Sequence, residues 1–205
     1  MNPAPRGSQL CMRRIVTTMQ VTLDGKVERC GGGTDWIGNS PDVFDFDLFG
    51  RVDACVLGRV MYPEYEQYWR TIVAEPARML DATGTTPTAE EIRYAEFAHK
   101  TPHYVLTRTS RELDWPVASA VSGLRDIAEL RREPGRDIYV VGGASTVSSV
   151  INAGLLDELR LTVHPLILGE GTALFDRVFG ERQFALAETK QLDGSRVRMS
   201  YVNAA

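Results

Sequence analysis

Cysteine is scarce in this chain: Cys11, Cys30 and Cys55 are its three, and no two of them stand in a CxxC pair. That spacing excludes a zinc ribbon or a disulfide framework and fits a reducing cytoplasm, with Cys55 acting as a small buried hydrophobe. Histidine is equally rare, and His99, His103 and His164 are too scattered for a ligand set, so no metal is expected. No run approaches the ~18 apolar residues of a membrane span, and Met1 to Arg14 lacks a signal peptide's apolar core. A soluble, cytoplasmic protein without membrane contact is expected. Positive charge is not in excess either: the formal net charge is −4 and the pI about 5.5, so no basic field draws the chain to nucleic acid. Neither GxGxxG nor GxxxxGK(S/T) occurs, nor HxE with PCxxC, which removes the usual dinucleotide fingerprint, the P-loop and zinc-deaminase chemistry.

What is present can build one core. With 205 residues, 43% of them hydrophobic, and no internal repeat or linker, residues 1–205 are expected to form a single domain, with residues 1–12 flexible at its edge. Strand and helix signals alternate. Residues 13–23 read as a β-branched strand, followed by a glycine-rich loop from Asp24 to Gly38. Ser40-Pro41 opens a helix to about Phe49, Asp53–Leu57 suits a buried strand, and Gly58-Arg59 opens a helix ending near Trp69. A loop with a loose helical piece covers 70–88. Thr88-Ala-Glu-Glu91 is a capping box for a helix to about His99. Strands follow at 103–107 and 117–121, then a helix capped by Ser122 and ended by Glu133-Pro134-Gly135. Ile138–Val141 has no polar alternation, as expected of a strand covered on both faces, and a helix occupies 145–153. The last third holds three strands, at 158–168, 184–191 and 196–202, with Asp193-Gly194 marking a hairpin.

Chemistry concentrates at strand ends. Val140-Val141-Gly142-Gly143-Ala144-Ser145-Thr146 is a strand–turn–helix corner, where glycine lets backbone N–H groups approach a phosphate and the helix N-terminus favours an anion. A tight turn without a ligand has the same signature. Leu57-Gly58-Arg59 and Leu106-Thr107-Arg108 each place an arginine just past a buried strand. Three such corners in a parallel sheet point to one anionic ligand outside the carboxyl ends of the strands. Arg108, with Thr107 or Thr109 beside it, would suit a ribose 2′-phosphate. Tyr62, Tyr65, Tyr68 and Trp69 form an aromatic stripe that fits a core or a dimer interface better than a nucleic-acid platform.

Five segments in order carry a resemblance: Thr22-Leu23-Asp24-Gly25-Lys26; Leu57-Gly58-Arg59-Val60-Met61-Tyr62 with Trp69 beyond; Leu106-Thr107-Arg108; Val140-Val141-Gly142-Gly143; and Leu155-Leu156-Asp157-Glu158-Leu159 leading to Pro165-Leu166-Ile167-Leu168-Gly169 and Gly171-Thr172-Ala173-Leu174-Phe175. Together they resemble the dihydrofolate reductase-like superfamily, and within it the reductase domain of the bifunctional riboflavin-biosynthesis deaminase-reductase and its stand-alone relatives. The resemblance implies an α/β fold with a mostly parallel eight-stranded mixed sheet, helices on both faces and an antiparallel C-terminal edge hairpin, in a homodimer. It also implies NADPH as hydride donor, held at Gly58, Arg59, Thr107, Arg108, Gly142, Gly143, Ala144, Ser145 and Thr146. The loop 24–38 would be a lid over the nicotinamide, and Asp24, Trp36, Asp42 and Phe46 would border the substrate. Asp42 stands where the folate enzymes carry their pterin-binding acid and is the candidate catalytic carboxylate, although a first-turn acid favoured by the helix dipole reads identically.

The chain departs from the riboflavin enzymes at Thr18, where they carry lysine, and at Val141, where they carry glutamate; both replaced groups would address a polar, phosphorylated substrate. Met61 also stands where many relatives have threonine. The expected function is NADPH-dependent hydride transfer to a small heterocycle, similar to reduction of the ribosylaminouracil intermediate of riboflavin synthesis. Dihydrofolate reduction is the alternative within the class, and a non-catalytic NADPH sensor is the alternative outside it. A charge-assisted hydrogen bond to the 2′-phosphate contributes roughly 1.5–3 kcal/mol. Arg108→Ala should therefore weaken NADPH binding by about ten- to a hundred-fold while leaving NADH nearly unchanged; equal losses in a calorimetric titration would mean that Arg108 does not read that phosphate.

Overall fold

Two uninterrupted apolar stretches, Ala54–Leu57 and Ile138–Val141, account for the middle of the sheet, because a strand covered by helices on both faces has no side free for polar residues. The computed structural model describes residues 12–38, 43–80, 84–107 and 113–204. The expected flexible start at residues 1–12 lies outside them apart from Met12.

The chain runs β1 (Ile15–Thr22), β2 (Lys26–Glu28), a 3₁₀ turn at Asp35–Ile37, α1 (Phe46–Phe49), β3 (Val52–Gly58), α2 (Tyr62–Ala74), α3 (Ala89–Lys100), β4 (His103–Leu106), β5 (Ala118–Val121), α4 (Leu124–Leu130), β6 (Asp137–Gly142), α5 (Ala144–Asn152), β7 (Glu158–His164), β8 (Thr172–Ala173), β9 (Phe184–Gln191) and β10 (Val197–Asn203). Eight strands form one sheet in the order β5-β4-β3-β6-β1-β7-β10-β9. Every pairing from β5 to β7 is parallel, and β10 then runs antiparallel to both β7 and β9. This is the expected mixed sheet with its C-terminal edge hairpin. A separate two-stranded ribbon joins β2 to β8.

Alternation along β3 and β6 divides the core. Ala54, Val56, Ile138 and Val140 face α4 and α5, packing with Ile127, Leu130, Val147, Val150 and Ile151. Cys55, Leu57 and Tyr139 face α2 and α3, where Tyr65, Trp69, Tyr94 and Ala98 complete a largely aromatic layer. The aromatic stripe of α2 thus lies in the core. No helix among the described residues is long and apolar enough to cross a membrane.

Several boundaries differ from the sequence expectation for local reasons. The helix expected from 41 to 49 is, in its described part, a single turn at Phe46–Phe49, because Asp45 gives its carboxylate to Arg160 and Arg198 instead of capping a longer helix. The helix expected to open at Gly58-Arg59 opens at Tyr62 with Pro63 in its first turn, and it runs to Ala74, five residues beyond Trp69. The strand expected to reach Leu168 ends at His164, where Pro165 withdraws a ladder donor. The capping box at Thr88 and Glu91 is present with both its hydrogen bonds. The next helix is capped by Asp126, whose carboxylate accepts the N–H groups of Ser122 and Gly123.

His103 opens β4 with 1% exposure, stacked on Trp115 at 4.7 Å between ring centroids. Its Nδ1 lies 2.6 Å from the Thr101 carbonyl and its Nε2 3.2 Å from the Tyr65 hydroxyl. A carbonyl can only accept, so Nδ1 carries the proton, Nε2 accepts from Tyr65, and Tyr94 donates to Tyr65 at 2.9 Å. Burial holds the imidazole neutral, with its pKa pulled from 6.5 down to about 4. The unfolded chain binds this proton first as pH falls, so the fold keeps its full stability above pH ~6.5 and loses roughly 3 kcal/mol on descending to pH ~4. Urea unfolding across that range should show this slope, and His103→Phe should remove it; a flat wild-type profile would mean the imidazole can charge in place.

Candidate active site

The parallel register brings the three expected corners together. Leu57 is level with Gly142 and Gly58 with Leu106, so the ends of β4, β3 and β6 lie side by side. At the β6 corner, Gly142 and Gly143 have φ of 137° and 78°, backbone that L side chains rarely adopt, and α5 begins at once. The first intrahelical bonds run from Thr146 and Val147 back to the Gly143 carbonyl, which leaves the N–H groups of the preceding residues directed out of the helix end. Ser145 is exposed there, whereas Thr146 is buried. Thr146 packs under the β3 corner: a Cβ at Gly58 would stand 2.5 Å from its Oγ1. Arg59 is exposed beside it and has no carboxylate partner among the described residues. At the β4 corner Thr107 is half-buried and its N–H donates to the Val121 carbonyl at 3.0 Å. Arg108, expected on the 2′-phosphate, lies outside the described residues.

These residues fit a dinucleotide diphosphate on three counts: N–H groups outside the helix ladder at a helix start, glycines that leave room for close approach, and an exposed guanidinium at the rim. Beyond this edge the sheet parts. Pairing of β1 with β6 stops at Thr17 and Val140, sealed by the Thr17 hydroxyl donating to the Val140 carbonyl at 2.8 Å, while both strands continue. The result is a cleft between β1 and β6 on the carboxyl edge, where ligands of open α/β sheets bind.

The loop expected as a lid is anchored on the β7 side of the cleft. Its first residues form β2 against β8, and Gly171 lies so close to the Glu28 carbonyl that any side chain there would collide with backbone. Arg29 then ties the loop to itself, through Asp35 at 2.9 Å and the Gly33 carbonyl at 2.8 Å. Asp24, expected at the substrate, uses its carboxylate to accept from the Thr22 hydroxyl at 2.6 Å and from the N–H groups of Leu168 and Gly169. The Thr22 bond, helped by the two N–H donors, holds its pKa down at about 2. Asp24 therefore clasps the lid's first turn to the loop after β7.

Trp36 reaches the end of β7, where its ring meets His164 edge-on at 5.0 Å. Phe46 packs instead with Phe44 and Phe49, and the Arg93 guanidinium covers its ring at 4.1 Å, so its visible contacts belong to the aromatic core. Asp42 lies outside the described residues, and with it the expected catalytic carboxylate. Among the described residues no cluster of three His, Cys, Asp or Glu could hold a metal ion. Sequence reasoning passed over Gln20 and His164, which bond to each other at 2.7 Å across β1 and β7. The signal available was polar residues at 18, 20 and 22 on one face of β1.

A family model described as the RibD C-terminal domain matches residues 13–197. The chain is 31% identical over 195 residues to the uncharacterized protein YyaP of Bacillus subtilis (strain 168), covering 95% of this chain and 97% of that one. Its structure is similar to a protein from Shewanella sp. PV-4 provisionally named for riboflavin biosynthesis, with a TM-score of 0.69 at 20% identity over 94% of this chain and 99% of that one. It is also similar to the Thermotoga maritima diaminohydroxyphosphoribosylaminopyrimidine deaminase/5-amino-6-(5-phosphoribosylamino)uracil reductase, with a TM-score of 0.61 at 15% identity over 94% of this chain and 57% of that one. Dihydrofolate reductase from Enterococcus faecalis, complexed with NADP(H), matches with a TM-score of 0.60 at 13% identity over 94% and 97% of the two chains. The architecture is the dihydrofolate reductase-like fold.

The Gly58–Thr146 contact is testable by a double-mutant cycle. Gly58→Ala should cost about 1–3 kcal/mol of stability through overpacking. Thr146→Ala in the same chain should recover most of that loss, giving a coupling energy above about 0.5 kcal/mol. Additive losses would show that the two corners are not in contact.

Proposed function

Since the chain belongs to the RibD C-terminal domain family, whose members include the reductase half of a riboflavin-synthesis enzyme, we propose that it is an NADPH-dependent reductase acting on a small heterocycle. The observation that carries the reading is the convergence of three strand ends on one corner, with two positive-φ glycines opening α5. The N–H groups from Gly143 to Ser145, with Gly58 and Arg59, would hold the diphosphate, and Thr107 with Arg108 the adenosine ribose. Bound there, NADPH supplies hydride.

The chain's own work is positioning and exclusion of water. The β1–β6 cleft receives the flat ring, the lid clasped by Asp24 and the β2–β8 ribbon covers it, and Trp36 closes the β7 side. Asp42 is the proposed source of the proton, directly or through water. The nearest named reaction is reduction of the ribosylaminouracil intermediate, followed by dihydrofolate reduction. A homodimer in the cytoplasm is part of the same proposal, and half-exposed apolar side chains on the C-terminal strands, such as Leu186 and Val197, favour it. A second reading keeps the cofactor corner without the chemistry, and the uncharged Thr18 and Val141 at the cleft motivate it.

Titration of the purified chain with NADPH and NADH separates these readings. The reductase reading expects tighter binding of NADPH, together with loss of reduced-nicotinamide absorbance on adding a pterin, a ribosylaminouracil or another reducible heterocycle. Tight NADPH binding with no oxidation across such a panel favours the sensor. Absence of binding to both nucleotides at millimolar concentration removes both.

A further inference from the structure

On the face of the sheet that carries α5, a half-open cavity of about 360 Å³ lies near the start of β7. The sheet contributes Leu159, Leu161 and Tyr201, α5 contributes Ile151, and the segment after β8 contributes Phe175 and Val178. Its size falls within the range of small-molecule sites, roughly 300–1,000 Å³, and its lining is predominantly apolar as theirs is. Ile151 stands about 10 Å along α5 from Ala144, so the cavity lies toward the other end of the helix from the Gly142-Gly143 corner. No group of that corner or of the β1–β6 cleft lines it.

The outer wall is pinned to α5 by side chains of the helix. The Ser148 hydroxyl donates to the Leu174 carbonyl at 3.3 Å. Asn152 donates from Nδ2 to the Arg177 carbonyl at 2.8 Å and accepts from the Phe179 N–H at 2.9 Å. These bonds fix the segment 174–179 against the helix, so the hollow beside Phe175 and Val178 is preformed. Arg182 is the one charged residue lining the cavity among the described residues. Its guanidinium donates to backbone, to the Glu181 carbonyl at 2.8 Å and the Asn152 carbonyl at 3.5 Å, and has no carboxylate partner among the described residues. The neighbouring Glu181 carboxylate accepts instead from the Gln183 amide at 3.1 Å. Tyr201 gives its hydroxyl to the Met199 sulfur at 3.3 Å, a weak acceptor that leaves the hydroxyl open to a better one. A guanidinium without a counter-ion beside an apolar hollow is complementary to a molecule with one anionic end.

We propose that this cavity is a second binding site, separate from the reductase cleft, for an amphipathic carboxylate such as a medium-length acyl chain. The chain fills the hollow between α5, β7, β10 and the segment 174–184, and the carboxylate pairs with Arg182 at its mouth. The site uses none of the groups assigned to NADPH, so the inference stands or falls apart from the reductase reading.

Calorimetric titration of the full chain with hexanoate, octanoate, decanoate and decanol tests it. Affinity should rise about fourfold per added methylene until the hollow is full. Decanol, which keeps the chain and lacks the charge, should bind about tenfold more weakly than decanoate. Arg182→Gln, at an exposed position, should weaken decanoate about tenfold and leave decanol unchanged. Val178→Trp, which fills the hollow, should abolish binding of both, and NADPH affinity should be the same in the wild type and both variants. Absence of saturable decanoate binding at millimolar concentration overturns the inference, as does equal affinity for decanoate and decanol or wild-type decanoate affinity in Arg182→Gln. Decanoate affinity that falls as protein concentration rises, with a matching rise in sedimentation mass, overturns it too, by assigning the cavity to a second copy of the chain.

Discussion

Only three residue pairs join β1 to β6, and the site depends on their stopping where they do. Elsewhere the sheet is continuous; β1 alone makes seven pairs with β7. At Thr17 the strands separate, with the Thr17 hydroxyl taking the Val140 carbonyl that a longer ladder would occupy. A parallel sheet collects its strand ends and helix starts on one edge, so a gap at this edge opens beside groups that favour an anion. The proposed lid fits the gap, since a cleft in the sheet needs a cover that the sheet itself does not supply.

The opposite edge is held by charge. Asp45 is 2% exposed and takes both Arg160, at 2.7 Å, and Arg198, at 3.2 Å. Arg160 also binds Glu158, and Glu158 reaches Arg51 and Arg14. The arginines hold the Glu158 carboxyl below the usual range against the opposing effect of burial. A network of this kind adds little net stability over an apolar replacement, yet breaking one member leaves a buried charge uncompensated. Its effect here is to fix the start of α1 to β7 and β10. Gln20 binds the same segment at Val43 from the side of the cleft. The loop 24–38 is thus tethered to the sheet at its start through Asp24, and Val43 to Asp45 are held to the same sheet.

Local sequence signals were legible where one short segment carried the whole device. The capping box at Thr88 needs four residues, and the Gly142-Gly143 corner needs two with the strand before them. The hairpin was visible as Asp193-Gly194, although the two left-handed residues are Gly194 and Ser195. Devices made of distant residues carried no signal of their pairing. The β2–β8 ribbon pairs three residues with two, too short for any period to register, and Gln20 meets His164 across 144 positions. Helix limits failed where a tertiary demand outranked propensity, as with Asp45, whose carboxylate is worth more between two arginines than at a helix start.

The same distinction separates what the corner says from what it leaves unsaid. Gly142 and Gly143 offer a ligand their backbone, and a backbone site requires only φ values that glycine alone adopts freely. Val141, one residue earlier, offers its side chain, and Thr18 offers a hydroxyl that finds no partner among the described residues. Exchanging either of these side chains would change the lining of the cleft without moving a backbone donor at the Gly142-Gly143 corner. In the proposed reading, recognition of the cofactor is therefore written in backbone geometry and survives large change elsewhere, whereas recognition of the substrate is written in a few side chains on β1, β6 and the lid. On that reading a chain of this fold can keep its hydride donor while taking a new acceptor, and Thr18 and Val141 are the positions at which such a change would be made.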